Sequence, residues 1–98
     1  MACQIKWSER AYQNLEYNFE FIARDSLNYA KIFVKGILNK INLLKNHPYS
    51  GKILPEMNKK EYRQILYKNY RIIYKIANDK NVEILLIRHG SIPIIDIE

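Results

Sequence analysis

The apolar residues of this 98-residue chain change their spacing once, near residue 47, and that change restricts the fold more than any other feature. Before it, Ala11, Tyr12, Leu15, Phe19 and Ile22 recur at intervals of three and four. So do Ala30, Phe33, Val34, Ile37, Leu38, Ile41 and Leu44. That is the period of an amphipathic helix. After it, residues 62–67, 70–77 and 82–89 are short runs of β-branched and aromatic residues, which suits strands. His47-Pro48-Tyr49-Ser50-Gly51 divides the halves, because Pro and Gly cannot continue a helix cheaply.

Local signals sharpen the boundaries. Gln4-Ile5-Lys6-Trp7 alternates like a short first strand, and Ser8 follows it as a helix N-cap. Asp25 or Ser26 caps a second helix, so the two helices form an antiparallel hairpin. Lys68-Asn69 and Asn78-Asp79-Lys80-Asn81 supply turns between the later strands, which predicts a meander of antiparallel neighbours. A polar connection runs from Gly51 through Pro55 to Lys60. In the 70–77 run, Tyr70, Ile72, Tyr74 and Ile76 share one face, the face predicted to lie beneath the helices. Trp7 is placed in the core. The predicted fold is therefore α+β and two-layered: a first strand and a helical hairpin packed on a small, mainly antiparallel sheet. Residues 1–98 are read as a single domain, a length that suits one.

Charge adds a location to this outline. The chain has a formal net charge of +6, and residues 52–75 carry seven Lys and Arg against Glu56 and Glu61. Lys59, Lys60, Arg63, Lys68, Arg71 and Lys75, interleaved with tyrosines, form the candidate basic surface. Cations and aromatic rings can serve a nucleic-acid backbone, and they can equally face an acidic protein. Cys3 is the lone cysteine, so no internal disulfide or cysteine-based zinc cage is possible. With His47 and His89 the only histidines, no metal-ligand spacing exists, and neither a metal nor a cofactor is expected. No apolar run reaches the roughly 18 residues of a membrane span, and the N-terminus does not read as a signal peptide. The cytoplasm is the expected compartment, and no membrane contact is expected.

Several of these segments, taken in order, resemble a known family. They are Trp7-Ser8, Phe21-Ile22-Ala23-Arg24-Asp25-Ser26, Pro48 through Gly51, Arg63, Tyr70-Arg71-Ile72-Ile73-Tyr74 and Ile87-Arg88-His89-Gly90. Together they resemble the ParE branch of the RelE/ParE toxin superfamily, from Ile5 to Gly90. The resemblance implies the toxin of a bacterial type II toxin–antitoxin system, of the kind involved in plasmid stabilisation. A cognate antitoxin would neutralise it, usually by wrapping an extended, partly disordered segment around it. ParE-like members are associated with growth arrest through inhibition of DNA gyrase, whereas RelE-like members cleave mRNA on the ribosome.

Cleavage by the RNA 2′-hydroxyl requires a base, cations for the phosphorane and an acid. In the resemblance to RelE-like enzymes, Arg71 matches the arginine of the central Tyr-Arg strand, and Arg63 stands where a lysine is usual. The companion basic position is the apolar Ile65, and no arginine and tyrosine follow Gly90. That loss favours the ParE branch, with no catalysis of its own. The alternatives are a ribosome-dependent endoribonuclease using Arg63, Arg71 and His89, or a degenerate member that only binds antitoxin or nucleic acid. Arg71 could otherwise pair with Glu61 or Glu83 on a neighbouring strand, and His89 could simply bond the turn at Gly90. Ile92-Pro93-Ile94-Ile95-Asp96-Ile97 is unusually apolar for a chain end and is expected to add an edge strand or pack on the helical hairpin, the alternative being a homodimer or antitoxin contact.

Overall fold

The computed structural model describes residues 2–97. Strand β1 (Gln4–Trp7) leads into helices α1 (Glu9–Ala23) and α2 (Leu27–Asn42), and a single 3₁₀ turn (Leu43–Lys45) closes the helical half. Then follow β2 (Lys52–Ile53), β3 (Tyr62–Tyr67), β4 (Tyr70–Asn78) and β5 (Asn81–His89). The sheet order is β1-β5-β4-β3-β2, antiparallel throughout except that β1 runs parallel to β5. The expected α+β architecture is the observed one. Two details differ from expectation. The polar connection hides the two-residue strand β2, and the last turn shortens to Asp79-Lys80. Asn78 causes the second change, because its Oδ1 accepts from Lys80 N–H at 2.8 Å and from Asn81 Nδ2 at 3.0 Å.

Ser8 caps α1 as expected, and of the two candidates Asp25 and Ser26 it is Ser26 that caps α2, the serine hydroxyls accepting from Ala11 and Tyr29 N–H. On the sheet face beneath the helices, Ile72, Tyr74, Val82, Ile84 and Ile87 meet Ala11, Phe33, Ile37 and Ile41 in one buried cluster. A fully buried Ile or Leu contributes about 1.5–3 kcal/mol, so this layer holds the hairpin to the sheet. Trp7 and Tyr70 pack against it half-buried. Tyr12 and Leu38, assigned to the apolar stripes by spacing, are instead 60% and 45% exposed. Each lies at the margin of its stripe, beyond the reach of the sheet.

The opposite face of the sheet is not left to solvent. Leu54, Tyr62, Ile73, Leu85, Leu86 and Ile94 form a second buried cluster there, with Met57 and Ile97 packed against it. Consecutive leucines can share this face because β5 bulges. Ile73 pairs with Leu86 while Tyr74 pairs with Ile84, leaving Leu85 as the extra residue. The bulge shifts the alternation by one, so Ile84 and Ile87 both face the helices. Its exposed backbone groups are met by α1 and its cap. Ser8 Oγ donates to the Leu85 carbonyl at 3.0 Å, and Ile87 N–H donates to Asn14 Oδ1 at 3.2 Å. The apolar tail therefore packs neither on the apolar stripes of the hairpin nor at the sheet edge, and meets α1 only through Arg10, which binds Asp96. It lies without strand structure across the face away from the helices, with Ile94 buried.

Candidate functional site

The candidate residues of the basic stretch separate according to strand register. Arg63 pairs with Tyr74 across β3 and β4 and so stands on the helix side, whereas Arg71 pairs with Leu66 and Arg88 on the opposite side. Lys68 occupies the β3–β4 turn at φ 51, and Lys59 and Lys60 lie exposed in the loop before β3. Lys75 lies over the Tyr62 ring at 5.3 Å, again on the side away from the helices. The expected single basic surface is thus split between two faces and a turn, because successive strand residues point in opposite directions.

Each arginine is already engaged. Arg63 Nε donates to Lys60 C=O at 2.9 Å, and its Nη1 donates to Tyr49 and Gly51 C=O at 3.2 and 3.0 Å. Its guanidinium also lies 5.1 Å from the Tyr49 ring centroid. These contacts make Arg63 a clamp on the loop that follows the helices. Arg71 Nε donates to Gln64 Oε1 at 2.7 Å, and its two Nη groups grip the Glu56 carboxylate at 2.8 and 2.9 Å. The partner is Glu56, from the loop before β3, rather than Glu61 or Glu83. Spacing along the strands does not reveal that partner, because the 54–61 loop folds over the sheet. The Arg71 hydrogen bonds hold the Glu56 carboxyl below its ordinary range.

His89 ends β5 on the helix side, its ring edge-on to Tyr70 with centroids 5.2 Å apart. Ser91 N–H donates to His89 Nδ1 at 3.1 Å, and Ser91 Oγ lies 2.7 Å from the same atom. An accepting Nδ1 places the neutral ring's proton on Nε2, so His89 offers a donor there. A shallow groove at this end of the sheet is lined by Leu66, Lys68, Tyr70, Arg71, His89 and Ser91. Lys68 Nζ reaches Tyr29 Oη at 3.3 Å and lies near the Tyr29 and Tyr67 rings. The groove brings Arg71 and His89 to one rim while Arg63 stays with its loop at the other end of β3. The three residues therefore do not form a single acid–base cluster.

Two further surfaces stand out. Large apolar side chains project from the helices, among them Tyr17 (65% exposed), Phe21 (53%) and Leu27 (53%), and Tyr12, Leu15, Phe19 and Val34 line a shallow apolar groove. Apolar exposure on this scale commonly marks a contact surface. Beside β3, β2 pairs only with Arg63 and Gln64, so Ile65–Tyr67 presents an open sheet edge. Next to that edge runs a groove lined by Lys40, Leu43, Lys52, Ile65 and Leu66. Neither surface is legible in spacing, since exposure and edges depend on which elements become neighbours. Among the described residues, no helix is long and apolar enough to cross a membrane.

A helical hairpin laid on one face of a mixed five-stranded sheet defines the class of protein. A solved structure described as the chromosomal ParDE TA system from P. aeruginosa shares it, with TM-score 0.73, over 90% of this chain and 96% of that chain. At 16% identity the likeness is one of fold. The sequence matches the family model described as ParE toxin of type II toxin–antitoxin system, parDE, over residues 5–93, and the chain belongs to that family. No curated protein matches the sequence significantly.

Proposed function

We propose that this ParE-family toxin arrests growth by binding a protein target, DNA gyrase, rather than by cutting RNA. One observation carries the reading: Arg63 stands apart from Arg71 and His89, and both arginines are already occupied by the chain's own oxygens. A nuclease centre needs its proton donor, acceptor and cations around one phosphate. The test is a supercoiling assay with purified gyrase and the purified chain. Inhibition at micromolar toxin is expected, and unimpaired supercoiling would overturn the proposal.

A cognate antitoxin is proposed as the neutralising partner. The open edge at Ile65–Tyr67, with Lys40 and Lys52 beside it, suits an extended acidic segment that adds a strand. The exposed aromatic surface of the helices suits the apolar face of the same partner. Co-expression with the neighbouring antitoxin gene should restore growth and yield a stable complex.

The groove holding Arg71, Lys68 and His89 favours a second reading, a ribosome-dependent endoribonuclease. Toeprinting on translating ribosomes separates the two, because cleavage lost in Arg71→Ala would establish the nuclease. Expression with no growth defect would instead favour a member that only binds antitoxin or nucleic acid.

A further inference from the structure

The sheet face away from the helices is covered by two segments that repeat one chemical pattern. Before β3 the chain reads Leu54-Pro55-Glu56-Met57, and after β5 it reads Ile94-Ile95-Asp96-Ile97. In each, the first residue is buried in the same apolar cluster (Leu54 0% exposed, Ile94 4%) and the fourth packs against it. In each, the third residue places a carboxylate on an arginine: Glu56 on Arg71, and Asp96 on Arg88 at 3.0 Å.

The two arginines are directly opposite one another across β4 and β5. Like charges so placed repel, and these side chains are only 14% and 16% exposed, so each requires a carboxylate. The face therefore has a fixed specificity built from an apolar cluster of Ile73, Leu85 and Leu86 beside a pair of guanidiniums.

The two occupants are held differently. Leu54 N–H donates to Tyr62 C=O at 2.9 Å, so the first segment is tied into the sheet. The tail belongs to no strand. Arg88 Nη1 donates to Pro93 C=O at 3.1 Å, and Arg10 binds both the carbonyl and the carboxylate of Asp96. Asp96 is 52% exposed at its side chain and Ile95 is 89% exposed. The tail thus occupies its site through side-chain contacts that another chain could copy.

We propose that the tail is an internal pseudo-ligand, and that this face takes an extended partner-protein segment of the pattern apolar–any–acidic–apolar in its place. Charge complementarity and the double internal use of the pattern select a peptide over a nucleic acid, which supplies anions without the apolar anchors. A pseudo-ligand in place lowers the partner's apparent affinity by the fraction of chains whose site is covered. The proposal is independent of whether gyrase is the target.

The test uses the full chain and a labelled peptide, Ser-Ile-Pro-Ile-Ile-Asp-Ile-Glu, copied from residues 91–98. Asp96→Asn should release the tail and tighten peptide binding by about tenfold or more relative to the unaltered chain. Ile94→Ser should do the same without altering charge. Adding Arg88→Gln to Asp96→Asn should abolish the gain, and a peptide with Asn for its Asp should bind neither form. On the unaltered chain, saturating peptide should raise amide exchange in residues 92–97 while leaving β4 protected, a readout that needs no variant. Equal binding by all forms, or a gain retained without Arg88, would overturn the proposal. So would an oligonucleotide of equal length binding as tightly as the peptide. Tail-swapped dimers of Asp96→Asn would also overturn it, by assigning the face to a second copy.

Discussion

The Tyr74 hydroxyl accepts the Gly51 N–H at 3.0 Å and donates to the Pro48 carbonyl at 2.7 Å, anchoring the helix-to-sheet loop to the middle of β4. Tyr74 is fully buried, and burial raises its phenol pKa above the ordinary value. The ring fills the core while the hydroxyl satisfies two backbone groups that the turn leaves without partners. Tyr74→Phe keeps the packing and strands those groups, which should cost about 1–3 kcal/mol. Urea denaturation should show a lower midpoint at unchanged slope.

Gly51 is constrained from the other side. A Cβ there would lie 2.5 Å from Tyr74 Oη and 2.6 Å from the Gln64 carbonyl oxygen, and the latter is backbone that cannot turn aside. Gly51→Ala should destabilise by about 1–3 kcal/mol through overpacking. Combined with Tyr74→Phe, the loss should be less than additive, since both changes disturb the same contact.

Ser8 serves two elements with one hydroxyl, capping α1 and binding the carbonyl at the Leu85 bulge. Ser8→Ala should cost about 1–2 kcal/mol, at the upper end for a cap. Hydrogen exchange should rise at the first turn of α1 and around Leu85 together, whereas a simple cap loss would affect the helix alone.

Arg63 binds three carbonyls through a planar fork that a lysine cannot reproduce. Arg63→Lys, although it keeps the charge, should lower stability by about 1 kcal/mol and loosen residues 49–51. Proteolytic sensitivity at this loop is the measurement. Full rescue by lysine would show that charge alone matters there.

The Glu56–Arg71 pair predicts a pH dependence of definite sign. The Glu56 carboxyl has its pKa lowered from 4.5, chiefly by hydrogen bonds from Arg71. A group depressed in the folded state stabilises at pH above its unfolded value, and that contribution disappears as pH falls through the lowered one. Because the pair is partly exposed, it should contribute at most about 1 kcal/mol. The urea midpoint of Glu56→Gln should lie below that of the unaltered chain near neutral pH. The two should converge only as pH falls through the lowered value, beneath the ordinary carboxyl range.

What was legible in the sequence was everything set by local spacing. Apolar residues at intervals of three and four specify α1 and α2, Ser8 and Ser26 mark their starts, and alternation marks β4 with Ile72 and Tyr74 turned inward. These features follow from the fixed geometry of helix and strand, which any chain with this pattern must obey. Tertiary structure decided what depends on neighbours distant in sequence. The Leu85 bulge requires α1 to supply Ser8 and Asn14, so alternation alone misassigns the second half of β5. Arg71 takes Glu56 because a loop crosses the sheet, and the basic stretch divides because adjacent strand residues face opposite ways. The tail lies away from the helices because that face offers it an apolar cluster and, in Arg88, a guanidinium that its Asp96 can pair. Periodicity determines which way a residue points, but only packing determines what it meets.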